Sequence, residues 1–151
     1  MSIALSLHLL SAVIWVGGMF FAYFALRPAA VETLEPPARL TLWVAVFNRF
    51  FKWVWLAVAL LILTGHGMIA LYGGFGHVGT HVHIMLGTGY LMMAIFAHLF
   101  FAPFKRLKLA VSESRWPDAG AQLNLIRKIV AINLTLGIIT VLIASGGRYL
   151  L

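Results

Sequence analysis

The sequence predicts an all-α integral membrane protein, a four-transmembrane-helix up-down bundle that forms a single domain over residues 1–151. Three observations predict it. The chain is 62% hydrophobic and 10% charged, against roughly 45 to 50% apolar and about 25% charged residues in a soluble domain. Four apolar runs, Ile3 to Leu26, Trp53 to Tyr72, Val82 to Phe104 and Ile129 to Gly147, each come near the roughly 20 residues that cross about 30 Å of hydrocarbon as a helix. Ten of the eleven Lys and Arg residues lie in or beside two loops on one side: Arg27, Arg39, Arg49, Lys52, Lys105, Arg106, Lys108, Arg115, Arg127 and Lys128.

Lipid offers the backbone no hydrogen bonds, so these runs are helices; the alternating strands of about 9 to 11 residues that build a barrel do not fit them. The charge of +7 therefore reads as a topology signal and not as a nucleic-acid surface. By the positive-inside bias the basic loops face the cytoplasm of a bacterial inner membrane, the chain is multi-pass, and both termini are extracytoplasmic. The absence of cysteine excludes disulfides, thiolate copper sites, c-type haem attachment and Cys-ligated clusters, leaving His, Met and carboxylates as ligands.

Taken in order, the first helix lacks the basic lead of a signal peptide and is read as retained; Arg27-Pro28 ends it. The stretch from Ala38 to Lys52 is amphipathic, either an interfacial cytoplasmic helix before helix two or an extension of that helix. Helix two ends in LTGHGMIALY, and the glycine-rich GGFGHVGT is a turn short enough to make helices two and three antiparallel neighbours. Helix three runs to Pro103. The region Lys105 to Asn124 reads as a polar loop with a turn at Trp116-Pro117-Asp118, and helix four follows to Gly147.

Five of the six histidines, His8, His66, His77, His81 and His83, fall at the extracytoplasmic end of this arrangement. An ionisable side chain within a span costs a few kcal/mol (about 2.5 to 3.5 for a charge on insertion scales), so such a layer reads as a site. Counted at about 1.5 Å per residue, His8, His66 and His83 sit within roughly 10 Å of the outer boundary, and His98 about 20 Å or more away. On helix one, His8, Ser11, Trp15, Gly18 and Ala22 share a stripe of polar, small and aromatic residues. His66 lies between Gly65 and Gly67, and His83 leads a stripe with Gly87, Tyr90 and Ala94.

His81 and His83 are two apart and point about 200° from one another, so one faces in and one faces out. A haem b with two axial imidazoles needs ligands wider apart than the usual 8 to 10 Å between adjacent helices. Helices one and three are diagonal in a square bundle, which makes His8 with His83 the first axial pair, with His66 as substitute or supporting partner. Trp15 and Gly18 line that face, and Arg148 is placed to meet the propionates. His77 and His81, four apart, are a candidate surface copper pair.

These residues resemble known families. LHLLSAVIWVGG, in which His8 precedes Trp15 by seven and Gly17-Gly18 follow, resembles the first helix of the copper resistance protein D (CopD) family. Arg49-Phe50 through Thr64-Gly65 resembles a later CopD helix. The His-to-Trp spacing is also similar to HemJ, the membrane protoporphyrinogen oxidase, which carries a histidine and a lysine two residues apart where this chain has His81-Val82-His83. The resemblance covers helices one to three and implies a haem-binding or copper-handling bundle. The lysine position is His83 here, a departure from the HemJ pattern.

Two functions follow as expectations. The first is a haem b protein that transfers single electrons, or a haem-dependent membrane oxidoreductase, with a quinol, porphyrin or periplasmic redox molecule as partner. The alternative is copper transport or resistance through His8, His66, His77, His81 and His83. The lipid bilayer is a partner in both, a homodimer is a candidate assembly, and nucleic acid is not expected.

Overall fold

A computed structural model describes residues 1–150, apart from the side chains of Arg148 and Leu150. Among the described residues every element is helical, and four helical rods are long and apolar enough to span a membrane: Ser2–Thr33, Pro36–Leu71, Thr80–Ser112 and Trp116–Gly147. Between 17% and 22% of the most apolar stretch of each rod is buried inside the bundle. The remainder, including Ile3, Val13, Leu63, Leu91 and Leu142, points outward, as suits a solvent of acyl chains.

The first rod comprises α1 (Ser2–Phe21), a wide π-helical turn (Ala22–Leu26) and α2 (Arg27–Thr33). The expectation that Pro28 stops the helix is corrected here. Proline lacks an N–H and crowds the carbonyl four residues back. The π turn directly before it opens the spiral enough for the rod to continue, with Pro28 in the first turn of α2. The second rod, α3 (Pro36–Leu71), is one helix of 36 residues, about 54 Å long. Residues 38–52 are therefore an extension of the second span and not a separate interfacial helix. Pro36 starts it because its fixed φ suits the first helical turn, and Glu35 before it is extended (ψ 154°).

At its other end α3 closes in a Schellman motif. Gly73 N–H donates to Ala70 O (3.1 Å) and Gly74 N–H to Ile69 O (2.9 Å), with φ of 96° and 98° at the two glycines. After a short 3₁₀ turn at Phe75–His77, the chain reverses into α4 (Thr80–Phe101). Ala102 breaks the helix (φ −116°, ψ −81°), and Pro103 opens α5 (Pro103–Ser112).

The expected polar loop from Lys105 to Asn124 is corrected as well: all but a turn at residues 113–115 is helical. In α5, Phe104, Leu107 and Ala110 are buried at intervals of three, and this narrow stripe seats the helix on α6 (Trp116–Leu150). Trp116-Pro117-Asp118 is the first turn of α6. Arg115 fixes the junction by donating to Glu113 (2.6 Å) and Asp118 (2.5 Å), and those bonds raise its already high pKa.

The rods alternate in direction. Backbones approach most closely between α1 and α3, between α4 and α6, and between α5 and α6. Helices α3 and α4 are joined by the short turn as expected, but meet through rings: Trp55 with Phe96 (5.0 Å between centroids), and Phe51 with Phe96 (5.3 Å). Phe51 also stacks on Phe47 (4.9 Å) and meets Phe104 edge-on (4.9 Å). Helices α1 and α4 likewise lack close backbone packing and meet through Trp15 and Phe96.

Gly137 of α6 lies at a close crossing with two other helices. A Cβ there would lie 2.9 Å from Val16 Cγ2 and 3.1 Å from Met92 Cε, whereas at Gly17 nothing lies within 4 Å. Gly137→Leu should lower stability by about 1–3 kcal/mol, the usual cost of overpacking, while Gly17→Leu should be close to neutral. Thermal unfolding of both variants in detergent micelles checks the contrast.

Candidate functional site at the histidine end

His8 is half-buried where α1 packs on α3. Its Nδ1 lies 2.8 Å from Thr64 Oγ1, and Thr64 Oγ1 is 2.5 Å from Leu60 O. A hydroxyl has one proton. Thr64 gives it to the Leu60 carbonyl, the common habit of threonine in apolar helices, so its oxygen can only accept from His8. The His8 proton therefore sits on Nδ1, and Nε2 carries the lone pair.

The same logic applies to His66. Its Nδ1 is 2.9 Å from Ile62 O, a pure acceptor, so Nδ1 is again the protonated nitrogen. Nε2 then accepts from the Tyr90 hydroxyl at 3.2 Å. Both histidines expose the nitrogen that ligates metals, held in orientation by a bond from the other ring nitrogen. Neither tautomer was readable from the sequence, since Thr64 and Tyr90 carried no signal beyond lying close to a histidine on their helices.

Around His66, the exposed ring of Phe75 touches two imidazoles. It is 6.3 Å from His66, edge-on, and 6.4 Å from His83, nearly parallel. His83 is on the exposed side of α4 and His81 on the bundle side, the reverse of the expected facing. The cause is the face α4 turns to the bundle, which carries the buried Met92, Phe96 and Leu99: His81 lies eleven residues before Met92, on nearly the same side at about 100° per residue, and His83 is about 200° from it. Gly147 and Gly79 leave the room: a Cβ on Gly147 would come within 2.8 Å of His81 Cβ, and one on Gly79 within 2.8 Å of its ring. His77 lies in the 3₁₀ turn before α4, so His77 and His81 do not share one helical face. Its ring rests beside Gly73, whose Cβ would be 3.3 Å from Nδ1.

The remaining candidates divide. Trp15 is buried and meets Phe96 edge-on at 6.1 Å. Gly18 is covered by the Phe50 ring, so it packs against a side chain of α3. The Arg148 side chain lies outside the described residues. His98 is exposed near the other end of α4. Among the described residues no three His, Asp or Glu side chains converge on one point. The arrangement offers separate imidazoles around a glycine-rich turn, of which His66 has Tyr90 and Phe75 as neighbours.

Residues 44–146 match the family described as copper resistance protein D. The matched stretch holds most of α3, the histidine-bearing turn, α4, α5 and most of α6; it leaves out α1 and His8. No curated protein and no solved structure matches the chain. With more than half of its length matched, the chain is a member of the copper resistance protein D family.

Proposed function

We propose that this membrane protein handles copper as cargo, binding the ion at the histidine end of the bundle through His66 Nε2, with His83, His81 and His77 as the neighbouring donors. The observation that carries the reading is the bond from His66 Nδ1 to the Ile62 carbonyl (2.9 Å). It leaves Nε2 as a lone pair opposed only by a long contact from Tyr90 (3.2 Å), which an incoming ion can displace. Imidazole is a good ligand for copper, and neutral His needs no proton loss to bind. The four histidines named all lie inside the family match.

The turn between α3 and α4 supplies the adaptability that separate donors need. Gly73, Gly74, Gly76 and Gly79 punctuate it, and Phe75, 50% exposed, has its ring beside both His66 and His83. The positive-inside bias supports an orientation in a bacterial inner membrane with this end, and both termini, extracytoplasmic. The ion would then be met at the outer face.

Haem b, with electron transfer to a quinol, porphyrin or periplasmic partner, is the second reading. His8, half-buried with Nε2 open, favours it. Against it, a Cβ on Gly65 would be 3.3 Å from His8 Cε1, so α1 and α3 pack closely at that level, and His83, the proposed second axial ligand, is exposed.

Copper titration, thermal unfolding and ¹⁵N spectra test these statements. Purified protein titrated with copper against a chromophoric chelator should bind the ion, and His66→Ala should weaken binding about 10- to 100-fold, the usual effect of disturbing a metal's ligand set. Absence of copper binding, with a Soret band in the isolated protein, would replace copper by haem. Thr64→Val strands the His8 Nδ1 proton inside the helix pair and should cost about 1–3 kcal/mol. Thermal unfolding reads that loss, and ¹⁵N spectra of histidine-labelled wild-type protein should show Nε2 as the bare nitrogen of His8 and His66.

A further inference from the structure

At the opposite end of the bundle, a cavity of about 290 Å³ lies between the first rod, the start of α3 and the first half of α6. Three arginines from three different elements line it: Arg27 at the start of α2, Arg39 in α3 and Arg127 in α6. Neither ion pair among the described residues involves any of them, both being made by Arg115. Arg27 is held over the Tyr23 ring, 5.5 Å from its centroid. Arg39 and Arg127 are half-buried.

Apart from Asn124, the rest of the wall is largely apolar and aromatic, with Trp43, Trp116 and Phe47. Three arginines lining one cavity beside indole rings, with no carboxylate among the lining residues, give it a positive potential that favours an anion. The level in the membrane narrows the anion's nature. At about 1.5 Å per residue, Arg27 lies about 38 Å along the first rod from Ser2, and Arg127 about 30 Å from Gly147. Both distances reach one hydrocarbon thickness from the histidine end, which is headgroup depth, where Trp and Tyr also collect.

We propose that this cavity binds one anionic phospholipid, with its phosphate held by Arg27, Arg39 and Arg127 and its acyl chain lying against the aromatic wall. Guanidinium forks match phosphate oxygens in pairs, and the apolar wall gives the chain a surface that a soluble anion would leave uncovered. The lipid would tie the first rod to α6, two elements whose own packing is sparse compared with α1 on α3.

The test uses delipidated protein in an uncharged detergent, offered phosphatidylglycerol or phosphatidylcholine of identical chains, with retained lipid counted by native mass spectrometry and unfolding followed by temperature. Phosphatidylglycerol should be preferred about tenfold or more, the scale of one to two charge-assisted bonds. Arg39→Gln combined with Arg127→Gln should abolish the preference, whereas Arg49→Gln should keep it, because Arg49 is exposed and donates to its own helix at Ala45 O. If the double variant does not fold, each single variant should show a weakened preference. Equal retention of the two lipids, an undiminished preference in the Gln variants, or full displacement by inorganic phosphate at equal concentration would overturn the proposal.

Discussion

Phe51 is the contact on which the bundle depends. Its ring meets Phe47 within α3, Phe96 and Phe100 of α4, and Phe104 of α5, at centroid distances from 4.9 to 6.1 Å. In lipid, burying apolar surface gives no advantage, because acyl chains are as apolar as leucine; helices associate through dispersion, shape and hydrogen bonds. Close backbone packing holds α1 to α3 and α4 to α6. What joins the second and third spans is this aromatic layer, each edge-to-face pair adding about 0.5–1.5 kcal/mol beyond area. A hydroxyl contact supplements it: Thr140 Oγ1 and Thr88 Oγ1 lie 2.8 Å apart across α6 and α4.

The four spans were legible because a 20-residue apolar run has only one solution in a bilayer. Their limits were not. Pro28 and Pro103 both read as stops, but the π turn at residues 22–26 carries one rod past its proline, and Ala102 turns the other at a break from which α5 restarts. Proline rules forbid one hydrogen bond; they do not say whether neighbouring turns will widen around the gap. The region 105–124 misled for a different reason. Its stripe of Phe104, Leu107 and Ala110 is narrow, and its polar remainder outweighs it in any average.

The site was legible in part. Gathering five histidines at one end follows from counting along alternating helices, and they lie there in the folded chain. Which of His81 and His83 faces in depends on which face α4 turns to the bundle, and that face is set by Met92, Phe96 and Leu99, some eleven or more residues further on. A helix apolar almost all round gives the sequence little to single out that stripe. The hydrogen bonds that fix the tautomers belong to tertiary packing: Thr64 is 56 residues from His8, and Tyr90 is 24 from His66.

The aromatic layer also divides the molecule functionally. Trp15, Phe51 and Phe96 fill the space between the histidine end and the arginine-lined cavity, and a void of about 20 Å³ beside them holds the buried Asn133. Its Oδ1 has no partner among the described residues. A volume of that size admits about one water, and a bare amide oxygen in an apolar surround calls for a donor of that kind. An ion bound as proposed at His66 would have this layer of rings between it and the arginine-lined cavity, and the same rings join the second and third spans, so any opening between the two ends would loosen the contact that holds α3 to α4.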